Sequence, residues 1–155
     1  MNNSLADCEG AMMNDKLWGE IEKLRREIER LKTQGGTGKW VDVSGIAVTG
    51  NGSMTFSGTF SGSYMQIGNL VFLYGGTSTG TTGGTASTYL YFTPPVTIAA
   101  AANTACSVRS AGTYGAGWVN LDVASNQVRV YRSTVANWGL GANSSFVLQI
   151  FYEVA

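Results

Sequence analysis

Histidine is absent from this 155-residue chain. That removes the usual general base, the usual proton shuttle and the commonest zinc ligand. Charge runs out as well. Residues 1–34 hold 13 of the 20 charged residues, and the rest carry only Lys39, Asp42, Arg109, Asp122, Arg129, Arg132 and Glu153. Four positive against three negative charges give the larger segment no field to attract nucleic acid or an anionic membrane, so neither partner is expected. Asp42, Asp122 and Glu153 are scattered and read as solvated strand residues, not as a paired acid and base. No enzymatic activity, cofactor or metal site is expected. Cysteine is scarce too: Cys8 and Cys106 lie far apart in segments of different character, and both are expected as free thiols made in a reducing compartment. Residues 1–16 lack a basic start and an apolar run, so neither a secretory leader nor a membrane span is expected.

What is present first is a helix. Leu17, Ile21, Leu24, Ile28 and Leu31 follow one another at spacings of four, three, four and three, the period of a left-handed coiled coil with Leu at d and Ile at a. Glu20 and Glu27 then take g positions, and Arg25 and Lys32 the following e positions. In a parallel homo-oligomer, Glu20 faces Arg25 and Glu27 faces Lys32, so charge selects partner and register. The alternative is an amphipathic helix packed on its own domain, although a strict a/d seam is narrower than a globular helix usually needs. Fewer than three heptads are marginal alone, so the domain that follows must add to association. Residues 1–14 break the pattern and read as a docking segment with Met12 and Met13 as adaptable contacts, or as a frayed terminus.

At 35–39, "GGTGK" fails as a phosphate loop. The position five before Gly38 is Thr33, Trp40 stands where a hydroxyl residue is needed, and a helix precedes it where a strand should. These glycines read as a helix cap and hinge between a stem at 15–34 and a domain at 40–155. In that domain short β-branched and aromatic runs alternate with Gly, Asn, Ser and Thr. Strands are expected near 40–48, 53–60, 64–74, 86–92, 95–99, 104–110, 116–123, 127–132 and 145–154, with a hairpin at Ser125–Asn126. Residues 145–154 are apolar on both faces, which suits a central strand or one covered by a neighbouring subunit. The fold class is mainly β, an antiparallel sandwich resembling a jelly roll. "GGTSTGTTGGTAST" (75–88) reads as a flexible hairpin loop or a variable surface loop.

"YMQIGNLVFLYGG" (64–76) and "LYFTPPVTI" (90–98) resemble a small β domain that ends many bacteriophage tail-fibre and minor tail proteins. Trp40, Tyr64, Ile67, Gly68, Asn69 and Val71 fit the first part of that pattern. Phe92, Pro94 and Pro95 fit the second loosely, without its usual glycine and tyrosine. The resemblance covers about 40–155 and its matching residues are scaffold, so no receptor site is carried over with them. It implies a homotrimeric tip on a virion fibre, on tail or capsid exterior, made in the host cytoplasm and used to touch the host surface. Ile at a with Leu at d favours two strands in isolated coiled coils. Three are expected here because the β domain should bury far more than the stem. The expected partners are further copies of the chain, another virion protein at the N-terminus, and a host surface glycan or protein. The alternative is a purely structural fibre decorating the capsid. For sugar stacking, Tyr114, Asn137 and Trp138 have the required chemistry, with Trp118 behind them. Against this, Trp138 could instead fill a trimer interface or cap the core.

Overall fold

The structure is a computed structural model that describes residues 19–26, 38–133 and 136–154. Residues 19–26 are helical. Lys23 Nζ lies 2.8 Å from Glu20 Oε1, and Arg25 approaches Glu22 at 3.9 Å. Ile21 is half-buried and the d-position Leu24 is 62% exposed. Leu17, Glu27, Ile28, Leu31 and Lys32, the docking residues Met12 and Met13, and Cys8 lie outside the described residues.

The rest is β structure, as the composition implied. The strands are β1 (Val41–Ala47), β2 (Thr49–Gly50), β3 (Met54–Phe56), β4 (Thr59–Ile67), β5 (Leu70–Thr77), β6 (Gly80–Gly84), β7 (Tyr89–Phe92), β8 (Asn103–Ser110), β9 (Thr113–Asp122), β10 (Gln127–Arg132) and β11 (Gly141–Glu153). All pairings are antiparallel and run β1-β4-β5-β11-β8-β9-β10-β7-β2, with β6 joining β3 to β11. The two ends of that path, β1 and β2, are separated in the chain by the buried Val48 alone. The sheet is therefore nearly closed, which leaves little free edge.

Closure is also visible inside. Phe60 of β4 and Phe92 of β7 stand far apart in the strand order, yet their rings stack with centroids 4.4 Å apart, and Phe146 of β11 joins them at 6.3 and 6.1 Å. Around this trio Val71, Leu73, Leu90, Val119, Leu121, Val128, Val130, Leu148 and Ile150 complete one core. Each fully buried aliphatic or aromatic side chain contributes about 1.5–3 kcal/mol of burial. The alternation of buried and open residues along β10 and β11 follows from the two-residue period of a strand.

Five sequence expectations change. Residues 53–60 are divided between β3 and β4, and the β9–β10 turn spans residues 123–126 and not Ser125–Asn126 alone. Residues 64–74 are not one strand. Gly68, at φ 60°, turns the chain with Asn69, so that Ile67 pairs with Leu70 in a tight β4–β5 hairpin. The run 75–88 is not a loop throughout. It ends β5 and contains β6, whose Thr82 points inward. Glycine is required at Gly75 because a Cβ there would lie 2.7 Å from the Phe60 ring and 2.8 Å from Gly62 Cα. Residues 95–99 form only a bridge from Ile98 to Val154. The segment is held instead by Tyr152 Oη donating to Val96 O, by Ile98 N donating to Asn126 Oδ1 and by Ala99 N donating to Glu153 O.

Candidate functional site

The four sequence candidates for sugar contact separate. Trp138 is completely enclosed and its Nε1 donates to Val130 O at 3.3 Å, so the ring has no face for a ligand; it caps the core, as the alternative reading allowed. The loop that carries it is pinned from below. Thr82 Oγ1 donates to Gly139 O at 2.6 Å, Gly139 N donates to Ser110 Oγ at 2.7 Å, and Ala111 N donates to Ser144 Oγ at 3.0 Å. The Thr82 and Ser110 hydroxyls are thereby engaged in holding the loop, while the Ser144 hydroxyl holds the β8–β9 turn at Ala111. Asn137 is exposed, and its carbonyl receives Arg132 Nη1 at 2.6 Å. Tyr114 is 76% exposed, with the Arg109 guanidinium 4.9 Å from its ring centre. Trp118 starts the surface described next.

On the outer side of β9, β10 and β7 the register brings Trp118, Tyr131 and Tyr89 into one row across three strands. Trp118 and Tyr131 stack at 4.0 Å and 5°, and Tyr89 follows Tyr131 at 5.0 Å. The next row holds Asn103, Asn120, Arg129 and Tyr91. Asn120 Nδ2 donates to Asn103 Oδ1 at 3.0 Å, and Arg129 pairs with Asp122, takes Gln127 Oε1 at 3.1 Å and lies over Tyr89. The Ser125 hydroxyl, then Arg129, hold the Asp122 carboxyl below the usual range, while burial pushes the Tyr131 phenol up. Sequence reasoning named Trp118 here but missed Tyr89, Tyr91, Tyr131 and Arg129. The signal available was alternation: Leu90, Val128 and Val130 go in, so their neighbours go out.

The outer side of β4, β5 and β11 is different. Its rows run Ile67–Leu70–Glu153, then Met65–Phe72–Phe151, then Ser63–Tyr74–Gln149 with Asp42 beside Ser63, then Ser61–Gly76–Val147–Ser107. Trp40 packs edge-on against Phe72 at 5.3 Å, and Phe72 meets Phe151 at 4.5 Å. Together they line a shallow depression of about 290 Å³ in which Gln149 is the one polar side chain. Phe151 is 58% exposed, and Leu70 and Trp40 are each 47% exposed.

Among the described residues there is no cluster of three acidic, cysteine or histidine side chains fit for a metal, and no helix is long and apolar enough to cross a membrane. Cys106 carries a free thiol, which burial pushes up to about 11. Comparison with protein-family models, curated proteins and solved structures gives no match to this chain.

Proposed function

We propose that the chain is the subunit of a bacteriophage virion fibre, a homotrimer with a coiled-coil stem at 15–34, a glycine hinge at 35–39 and a jelly-roll-like β tip at 40–155, which attaches to the host surface through that tip. The observation that carries attachment is the aromatic row Trp118–Tyr131–Tyr89 lying beside the amides of Asn103 and Asn120 and the Arg129 guanidinium. Aromatic faces and edges cover the apolar parts of a sugar, while amide and guanidinium groups match its hydroxyls. A host surface glycan therefore suits this face better than a nucleic acid or a lipid. The stem heptads support self-assembly, and residues 1–14 with Met12 and Met13 are left for docking on another virion protein.

The test is a glycan array probed with the labelled full chain. Selective binding is expected, reduced at least about tenfold in Tyr89→Ala and Asn120→Ala, the size of effect typical of contacts central to an interface. A folded chain that binds nothing on the array and does not block phage adsorption to cells would remove the attachment reading. A second reading, a structural fibre on the capsid, is favoured by the parallel stacking of Trp118 on Tyr131, because those rings already cover each other. Antibody labelling of particles separates the two: tail labelling fits attachment, and capsid labelling fits the structural fibre.

A further inference from the structure

The apolar outer face of β4, β5 and β11 is not uniform. The two rows nearest Trp40 are apolar except for Glu153, whereas in the rows beyond them Asp42, Ser63 and Gln149 surround Tyr74, and Ser61 and Ser107 flank Gly76 and Val147. The end at which they concentrate is the end at which the chain enters the domain, since Gly38 N donates to Gln66 O beside Ile67. Monomeric proteins rarely leave a contiguous patch of this kind in water.

We infer that this entry-end face, formed by Trp40, Ile67, Leu70, Phe72 and Phe151, is a contact between copies of this chain, closed around the axis set by the stem. Two observations choose a second copy over any other occupant. First, the heptads end at Lys32, eight residues before Trp40. Fully extended, that linker spans at most about 28 Å, about the width of a small domain. Parallel helices sharing a seam therefore hold their β domains side by side, with the entry ends nearest the axis. Second, the charges that border the patch are of opposite sign, Lys39 on the entering chain and Glu153 at the end of β11, both exposed. A face that repeats around an axis meets its neighbour with one edge against the other, so Lys39 of one copy can answer Glu153 of the next. A sugar would find only the Gln149 amide to bond in the depression. This inference rests on the self-assembly part of the fibre reading and not on host attachment, so the glycan array and the experiment below fail independently.

Light scattering on the full chain over a range of concentrations tests it. The unmodified chain is expected as a trimer. Phe151→Asp and Leu70→Asp, at exposed positions outside the core, are expected to weaken assembly by about thirtyfold or more, as for a central interface anchor. Ser61→Asp, on the same face but far from the entry end, is expected to leave assembly unchanged. Near-UV circular dichroism checks that each variant keeps its packed core. In the assembled Phe151→Cys variant, maleimide labelling at position 151 should be at least about tenfold slower than at position 61 in Ser61→Cys, since interface centres exclude water. A chain monomeric at every concentration, or folded Asp variants that assemble normally together with equal labelling at 151 and 61, would overturn the inference.

Discussion

The two outer faces of the β domain both carry packed aromatic rings and differ in the polar groups set among them and in how far the apolar side chains stand exposed. On β9, β10 and β7, each aromatic ring has neighbours within its own chain: Trp118 covers Tyr131, Tyr131 meets Tyr89, and Arg129 lies over Tyr89 and binds Asp122. On β4, β5 and β11, Phe72 also meets Trp40 and Phe151, yet Phe151 and Leu70 stand more than 45% exposed with no polar group among them in the entry-end rows except Glu153. A surface that is finished within one chain can face solvent and meet a ligand by rearranging little. An unfinished apolar surface lowers its free energy by being covered. The difference teaches that exposed apolar area alone does not mark a function; what matters is whether the chain has already partnered it.

The strongest way to break the comparison is to remove the core both faces share. Trp138→Ala is expected to cost about 3–5 kcal/mol, the range for deleting a buried large aromatic, and so to unfold both faces together in a denaturant titration. Sugar binding lost in that variant would report unfolding and not a contact. Next comes the contrast itself. Tyr131→Ala removes two stacking partners and is expected to destabilise the chain by about 1–2 kcal/mol. Leu70→Ser, compared below the concentration at which the chain assembles, is expected to change its stability by less than about 0.5 kcal/mol. Equal losses in the two variants would mean that the faces do not differ in how they are partnered.

Much of this division can be traced in the sequence, and particular residues show where it stops. "SFVLQIFYEV" is apolar at both alternate sets of positions, which announced either a central strand or a covered one; β11 pairs with β5, β6 and β8 and also carries the exposed Phe151. The β4–β5 hairpin was legible in Gly68–Asn69, a two-residue turn signal that the apolar run from Leu70 onward overshadowed. Trp138, set among Asn and Gly, read either as a loop aromatic for sugar stacking or as a ring filling a trimer interface or capping the core. The loop around it is held by long-range bonds to Thr82, Ser110 and Ser87, and no local pattern encodes those. The aromatic row was only partly in reach, because Trp118 and Tyr131 meet through the register of the β9–β10 hairpin, whereas Tyr89 joins them only once β7 is known to pair with β10.

Two smaller effects sharpen the picture of the finished face and its border. The Asp122 carboxyl titrates below its ordinary value because the Ser125 hydroxyl and then Arg129 favour its charged form. A depressed carboxylate contributes stability above the unfolded value of about 4, and that contribution disappears as pH falls through the folded value. Asp122→Asn should therefore flatten the fall in stability between pH 5 and 3 (roughly the carboxylate range), read as the thermal midpoint at each pH. An unchanged slope would show that the Arg129 network does no electrostatic work. Cys106, beneath the shallow hollow between Tyr74, Ser107 and Val147, has its thiol pushed up to about 11 by burial. Its protonated form is favoured by folding, so the associated stability is complete below the ordinary thiol value and is lost as pH rises toward 11. Reaction with a disulfide reagent at pH 8 should be slow in the folded chain and fast in denaturant, because the thiolate is the reacting species.

The most direct measurement is hydroxyl-radical footprinting of the assembled full chain, read residue by residue on both faces at once. Trp40, Phe72 and Phe151 are expected to be protected well beyond the exposure they have in a single chain, while Tyr89 and Tyr91 are oxidised as their single-chain exposure dictates. Equal oxidation of the two groups, or protection of Tyr89 and Tyr91 with Phe151 left open, would contradict that expectation.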